Sequence, residues 1–172
     1  MKGRIFVSSV IQGYAAFRDA AAEGIDRAGC QAVRVEEFPA AGASPRTACL
    51  DGVRSADAVI LVLGERYGYV APSGLAATEE EYDEARRTHK RVLVFLEDVP
   101  AREPRQEAFV RKVQDYVGGH WRKTFKTAAE LTRLVEQALS EANMATMAGE
   151  GDAATPRMSP TTGVFGLRRR KS

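Results

Sequence analysis

Histidine, cysteine and tryptophan are scarce: the 172-residue sequence holds two His, two Cys and one Trp. Neither Cys30 nor Cys49 has a CxxC partner or metal-ligand spacing. That excludes a zinc ribbon and a disulfide framework, and leaves two buried or half-buried thiols in a reducing compartment. His89 and His120 stand beside no serine or cysteine nucleophile, and there is no HExxH, so no metal site and no Ser-His triad is expected. Neither GxGxxG nor GxxxxGK[ST] occurs, which removes the Rossmann dinucleotide fingerprint and the P-loop. Long apolar runs are missing too. The first, entered at Ile5-Phe6-Val7, is too short for a signal-peptide core or a membrane span, so a cytoplasmic protein with no membrane partner is expected. Nor does one sign of charge prevail, with 25 Lys and Arg against 23 Asp and Glu for a net charge of +2. The basic excess sits in Arg168-Arg169-Arg170-Lys171. Without that cluster the remainder is slightly acidic, which speaks against nucleic acid as a partner.

What is present suits one domain with a tail. At 44% hydrophobic and 28% charged residues, the chain can bury a core. Continuous apolar stretches at Ile5-Phe6-Val7, Ala58–Leu63 and Val92–Leu96 predict parallel strands covered on both faces. Weaker strands are predicted near Ala32–Val35 and, at an edge, near His120–Lys123. Helical spacing of Tyr14, Phe17, Ala21 and Ile25 ends at Gly29, and Ser44-Pro45 opens a second helix as cap and first turn. Thr78 with Glu81 three residues on has capping-box spacing for a third helix. A fourth is marked by Phe109, Val110, Val113 and Val117, and a fifth by the stripe Leu131, Leu134, Val135, Ala138, Leu139 and Ala142. Alternation of this kind predicts a flavodoxin-like, doubly wound α/β domain over residues 1–143, with five strands in order 2-1-3-4-5. Residues 144–172 lack periodicity and are assigned to a disordered polar tail with a solvated basic end.

Ligands of such sheets bind beyond the carboxyl ends of the strands, where strand order reverses. For this order the relevant loops are 8–13 and 64–69. Ser8 and Ser9 either hold a phosphate or ribose there or simply cap a helix. Arg66 suits a carboxylate or phosphate, Gly68 a tight turn, and Tyr67 either a base-stacking role or a lid on the core. Beyond them, Ala77–Ala85 is strongly acidic and reads largely as a solvated helix start, with Glu80 and Glu84 turned toward water. Glu81 borders the buried face in the same register as Ala85 and Thr88. It is either a carboxylate aimed at the crevice or the acceptor of the capping box.

Phe6-Val7-Ser8-Ser9, Arg18, Gly64-Glu65-Arg66-Tyr67-Gly68, Thr78-Glu79-Glu80-Glu81-Tyr82 and Val92–Leu96 together resemble the DUF4062 family, a TIR-like group found at the N-terminus of large bacterial signalling and defence ATPases. The resemblance covers roughly Lys2 to Asp98. NAD-cleaving TIR domains and nucleoside deoxyribosyltransferases, its wider relatives, carry a glutamate four residues before a small residue, matched here by Glu81 and Ala85. The resemblance implies Glu81 as the catalytic residue, with Glu79 as runner-up. It implies Ser8 and Ser9 on hydroxyls or phosphate, Tyr67 stacked, Arg66 on an anionic group, and Gly68 and Thr78 lining the substrate site. Arg18 reads better as a structural ion-pair partner. NAD or a related nucleotide is then a substrate and no bound cofactor is implied. The expected partners are further copies of the chain and a separate sensor or ATPase protein. A self-associating interaction module without turnover, and a deoxyribosyltransferase, are the competing readings. Val10 and Gly13 stand where the family usually carries a threonine and an aspartate.

Overall fold

Residue alternation along three central strands divides the molecule into two cores. The computed structural model describes residues 2–39, 42–115 and 121–151. Its strands are β1 (Arg4–Ser8), β2 (Gln31–Val33), β3 (Ala58–Leu63), β4 (Arg91–Glu97) and β5 (Trp121–Phe125). They form one sheet, all pairings parallel, in the order β2-β1-β3-β4-β5. The helices are α1 (Ala15–Arg27), α2 (Pro45–Ser55), α3 (Ala77–Arg87), α4 (Pro104–Gln114) and α5 (Ala128–Gly151). Successive side chains of a strand point to opposite faces. Ile60 and Val62 of β3 therefore join the core under α1 and α5, with Ile25, Leu131 and Val135. Val59, Leu61 and Leu63 join the core under α2, α3 and α4, with Val53, Tyr82 and Phe109. Every residue of β3 is buried, as two-sided cover demands.

This is the predicted flavodoxin-like α/β class with the predicted strand order. Ser44 caps α2 as expected, accepting the Thr47 N–H, with Pro45 in the first turn. Gly29 takes a left-handed φ of +78° just past α1. The last strand is the predicted edge, at Trp121–Phe125, while His120 and Val117 lie outside the described residues. The last helix runs to Gly151, past the Asn143 at which apolar periodicity stops. Residues 152–172, including the basic cluster, lie outside the described residues.

One prediction fails at α3. Its cap is Ala76, with no side-chain capping bond, and Thr78 is already inside the first turn. The cause is tertiary: the Ala76 N–H bonds the Tyr67 hydroxyl (3.2 Å), and the Glu80 N–H closes the first turn on the Ala76 carbonyl. Glu81 is thereby released from capping.

Among the described residues, no helix is long and apolar enough to cross a membrane.

Candidate functional site

The reversal of strand order places the loops after β1 and β3 side by side above the sheet. Between them, under the start of α2 and beside the start of α3, lies a cavity of about 910 Å³. Its wall includes Ser9, Arg66, Tyr67, Gly68, Thr78 and Glu81. Ser8, fully buried, touches the cavity only through Glu81, to which its hydroxyl donates a hydrogen bond. All seven residues predicted for the site thus gather at one place, although three of them are engaged differently from the expectation.

Glu81 is 6% exposed, at the floor. Burial pushes its carboxyl up to about 7, against the opposing pull of the Ser8 hydroxyl, the Arg18 guanidinium and the Cys49 thiol. Arg18 is 2% exposed and forks onto Glu36, with Nε–Oε1 at 2.5 Å and Nη2–Oε2 at 2.7 Å. The same guanidinium donates from Nη1 to the Ser9 hydroxyl (2.9 Å) and carbonyl (3.2 Å). Arg18 is therefore the ion-pair partner that was predicted, and it also fixes the first loop and lends positive potential to Glu81. Burial and the neighbouring Glu81 charge push the Cys49 thiol up to about 12, which keeps it protonated.

The serines are committed to protein partners: Ser8 to Glu81, and Ser9 to Arg18 and the Val10 carbonyl (3.0 Å). Their expected hold on ribose or phosphate gives way to a role in orienting the floor. Tyr67 is 4% exposed. Its hydroxyl donates to Glu79 Oε2 (2.6 Å), its ring meets Phe109 edge-on, and Arg105 lies 4.7 Å from the ring centroid. It is the lid on the core rather than a free stacking platform. Tyr69, 84% exposed and on the same wall, is the aromatic residue left open. The glycine between them allows this, because Gly68 has a φ of +92° and turns the chain between the two rings.

The acidic helix start is not solvated as predicted. Glu80 is held by Arg46 (Nε–Oε2 2.8 Å) and Glu84 by Arg54 and Arg87, all four carboxylates Glu79, Glu80, Glu81 and Glu84 being buried. Glu79 is tied to Tyr67 and to Lys112 Nζ (2.9 Å), away from the cavity, and loses its standing as the alternative carboxylate. Glu81 alone among them meets no full ion pair. Cys49, Arg46 and Tyr69 escaped prediction. For Cys49 and Arg46 the only signal is their place on the first half of α2, the helix that follows the edge strand beside the switch point. Among the described residues no cluster of three His, Cys, Asp or Glu could hold a metal.

A parallel sheet in this order, with a buried carboxyl under a cavity at the switch point, defines a flavodoxin-like α/β domain with a pocket in the usual ligand position of that class. The chain belongs to the family described as Domain of unknown function (DUF4062), matched over residues 4–140. No curated protein matches it. Similar solved structures include a metal-soaked Flv1 flavodiiron core from Synechocystis sp. PCC6803, at 12% identity and a TM-score of 0.46 over 87% of this chain; the chain spans 36% of that core. A flavodoxin from the domain Archaea is similar at 16% identity and a TM-score of 0.44, over 83% of this chain and 98% of the other. A diflavin flavoprotein A3 from Nostoc sp. is similar at 13% identity and a TM-score of 0.46, over 88% of this chain and 97% of the other.

Proposed function

We propose that this cavity takes NAD or a related nucleotide and that Glu81 promotes cleavage of its N-glycosidic bond, the domain serving as a TIR-like signalling or defence effector. The observation that carries this reading is Glu81 itself: a buried carboxyl, oriented by Ser8, forming the floor of a cavity large enough for a nucleotide. When the bond to the base breaks, the base leaves with the electron pair and positive charge develops on the ribose. A carboxylate under that ribose stabilises the charge, or bonds to C1′ until water replaces it. Removal from water strengthens the effect.

Only the ionised carboxylate does this. With Glu81 held up to about 7 in the empty site, kcat/KM rises as pH rises through that value and levels above it. A positively charged nicotinamide ring would favour the ionised form.

The experiment is nicotinamide release from NAD by the full chain, concentrated or with a crowding agent. Glu81→Gln is expected to lower the rate by roughly 100-fold or more. Undiminished release by that variant sinks the role given to Glu81. Ile11 at 53% and Tyr69 at 84% exposure, both on the cavity wall, favour a second reading as a self-associating module that works with a separate sensor or ATPase protein. No turnover of NAD or deoxynucleosides, with mass growing with concentration in light scattering, would select that reading.

A further inference from the structure

The cavity wall carries charged groups that the role of Glu81 does not explain. Three arginines line its wall, Arg18, Arg46 and Arg66. Arg18 is spent on Glu36 and Ser9, and Arg46 gives its Nε to Glu80. Arg66 has no hydrogen-bond or ion-pair partner among the described residues, and it is exposed. The remaining carboxylate on that wall, Glu103, accepts the Tyr67 N–H (2.9 Å) and makes no ion pair with it. The Arg66 guanidinium lies against the loop after β1: a Cβ built on Gly13 would stand 3.8 Å from Nη1. Three residues along the same turn, Tyr69 presents an 84% exposed ring to the same wall.

From these positions we infer that Arg66 binds a phosphate group of the ligand and Tyr69 stacks on its base, so that the site takes 5′-phosphorylated nucleotides and discriminates against nucleosides. The inference rests on the reading of the cavity as a nucleotide site. The serines cannot share the task as placed, since Ser8 and Ser9 already serve Glu81 and Arg18. Size points the same way. At about 910 Å³ the cavity lies near the top of the range of roughly 300–1,000 Å³ for small-molecule sites, which leaves room for more than a nucleoside. Guanidinium is the side chain best shaped for phosphate, presenting parallel N–H donors to two oxygens.

Gly13 supplies an independent handle. Its φ is +80°, a conformation that Asp and Asn tolerate better than other side chains. Gly13→Asp would set a carboxylate within reach of Arg66 and occupy it, whereas Gly13→Asn would bring the same strain without the charge.

The test is calorimetric binding of AMP, ADP and adenosine to the full chain carrying Glu81→Gln, which separates binding from turnover. AMP and ADP are expected to bind about 10- to 100-fold more tightly than adenosine, with the gap narrowing as salt is raised. Arg66→Ala and Gly13→Asp should abolish that gap, Gly13→Asn should preserve it, and Arg66→Lys should restore part of it. Tyr69→Ala should weaken all three ligands alike. Adenosine binding as tightly as AMP, binding by none of them, or a gap that survives Arg66→Ala would overturn the inference. Phosphate-dependent binding without nicotinamide release would sink the cleavage reading alone, and release without phosphate dependence would sink this one alone.

Discussion

At Glu81 a single side chain carries a cost that a glutamine would not. Its carboxyl titrates from 4.5 in the unfolded chain to about 7 in the folded one, because burial opposes its charge. The native state therefore holds the proton more tightly. The stability this confers is complete below pH 4.5 and is lost as pH rises through 7, a loss of ~3 kcal/mol. Glu36, Glu80 and Glu84 shift downward through their arginine partners and act in the opposite direction, but they are common to wild type and variant. Urea unfolding of wild type and Glu81→Gln at pH 5 and pH 8 isolates the effect. The variant should gain ~2.5 kcal/mol relative to wild type between the two, and an unchanged difference would mean that Glu81 is not sealed from water. The register that places Glu81 beside the crevice is visible in the sequence. The pairing of Glu80 and Glu84 is not, because their partners Arg46 and Arg54 come from α2, and periodicity within α3 carries no information about them. The burial of Tyr67 and exposure of Tyr69 are hidden for a similar reason: both lie in one loop, and the backbone at Gly68 decides which ring meets the core.

Elements are positioned here by close approach as much as by propensity. Gly24, in the last turn of α1, is buried where α1 meets α5, and a Cβ there would stand 2.6 Å from the Thr132 carbonyl and 2.8 Å from Val135 Cβ. Two effects of Gly24→Ala compete. Alanine favours the helix by about 0.5–1 kcal/mol, while forcing two helix backbones apart costs roughly 1–3 kcal/mol. The backbone contact cannot rotate away, so packing wins. Gly24→Ala should lower stability by about 1–2 kcal/mol in denaturant unfolding, and a stabilised variant would refute the contact. The Thr132 hydroxyl bond to the Ala20 carbonyl (3.0 Å) ties the same interface. Sequence periodicity located α1 and α5 but could not pair them, since any helix stripe fits several partners. The start of α3 was missed through a comparable limit: Ala76 becomes the cap because Tyr67, nine residues earlier, claims its N–H.

For the whole molecule, the alternation of strands and helices was enough to obtain class and strand order, because right-handed crossovers leave few arrangements of five parallel strands. Both cores hang on the same strands, Ile60 and Val62 on one face and Val59 and Leu61 on the other. Neither can be lost without exposing the other, so the domain should unfold as one cooperative unit. The same logic bears on the boundary at residue 143. The buried positions of α5 in the first core are Leu131, Leu134, Val135, Ala138 and Leu139, and Glu141 and Asn143 are exposed. We propose that the domain is complete at Asn143. A chain ending there keeps every one of these contacts, and in this size range 1 kcal/mol moves Tm by roughly 2–4 °C. Its Tm should fall within about 2 °C of that of the full chain, with coincident transitions in far- and near-ultraviolet dichroism. A chain ending at Glu130 removes all five and should fail to fold. A drop of more than about 5 °C on ending at Asn143 would place part of the domain's core beyond that residue.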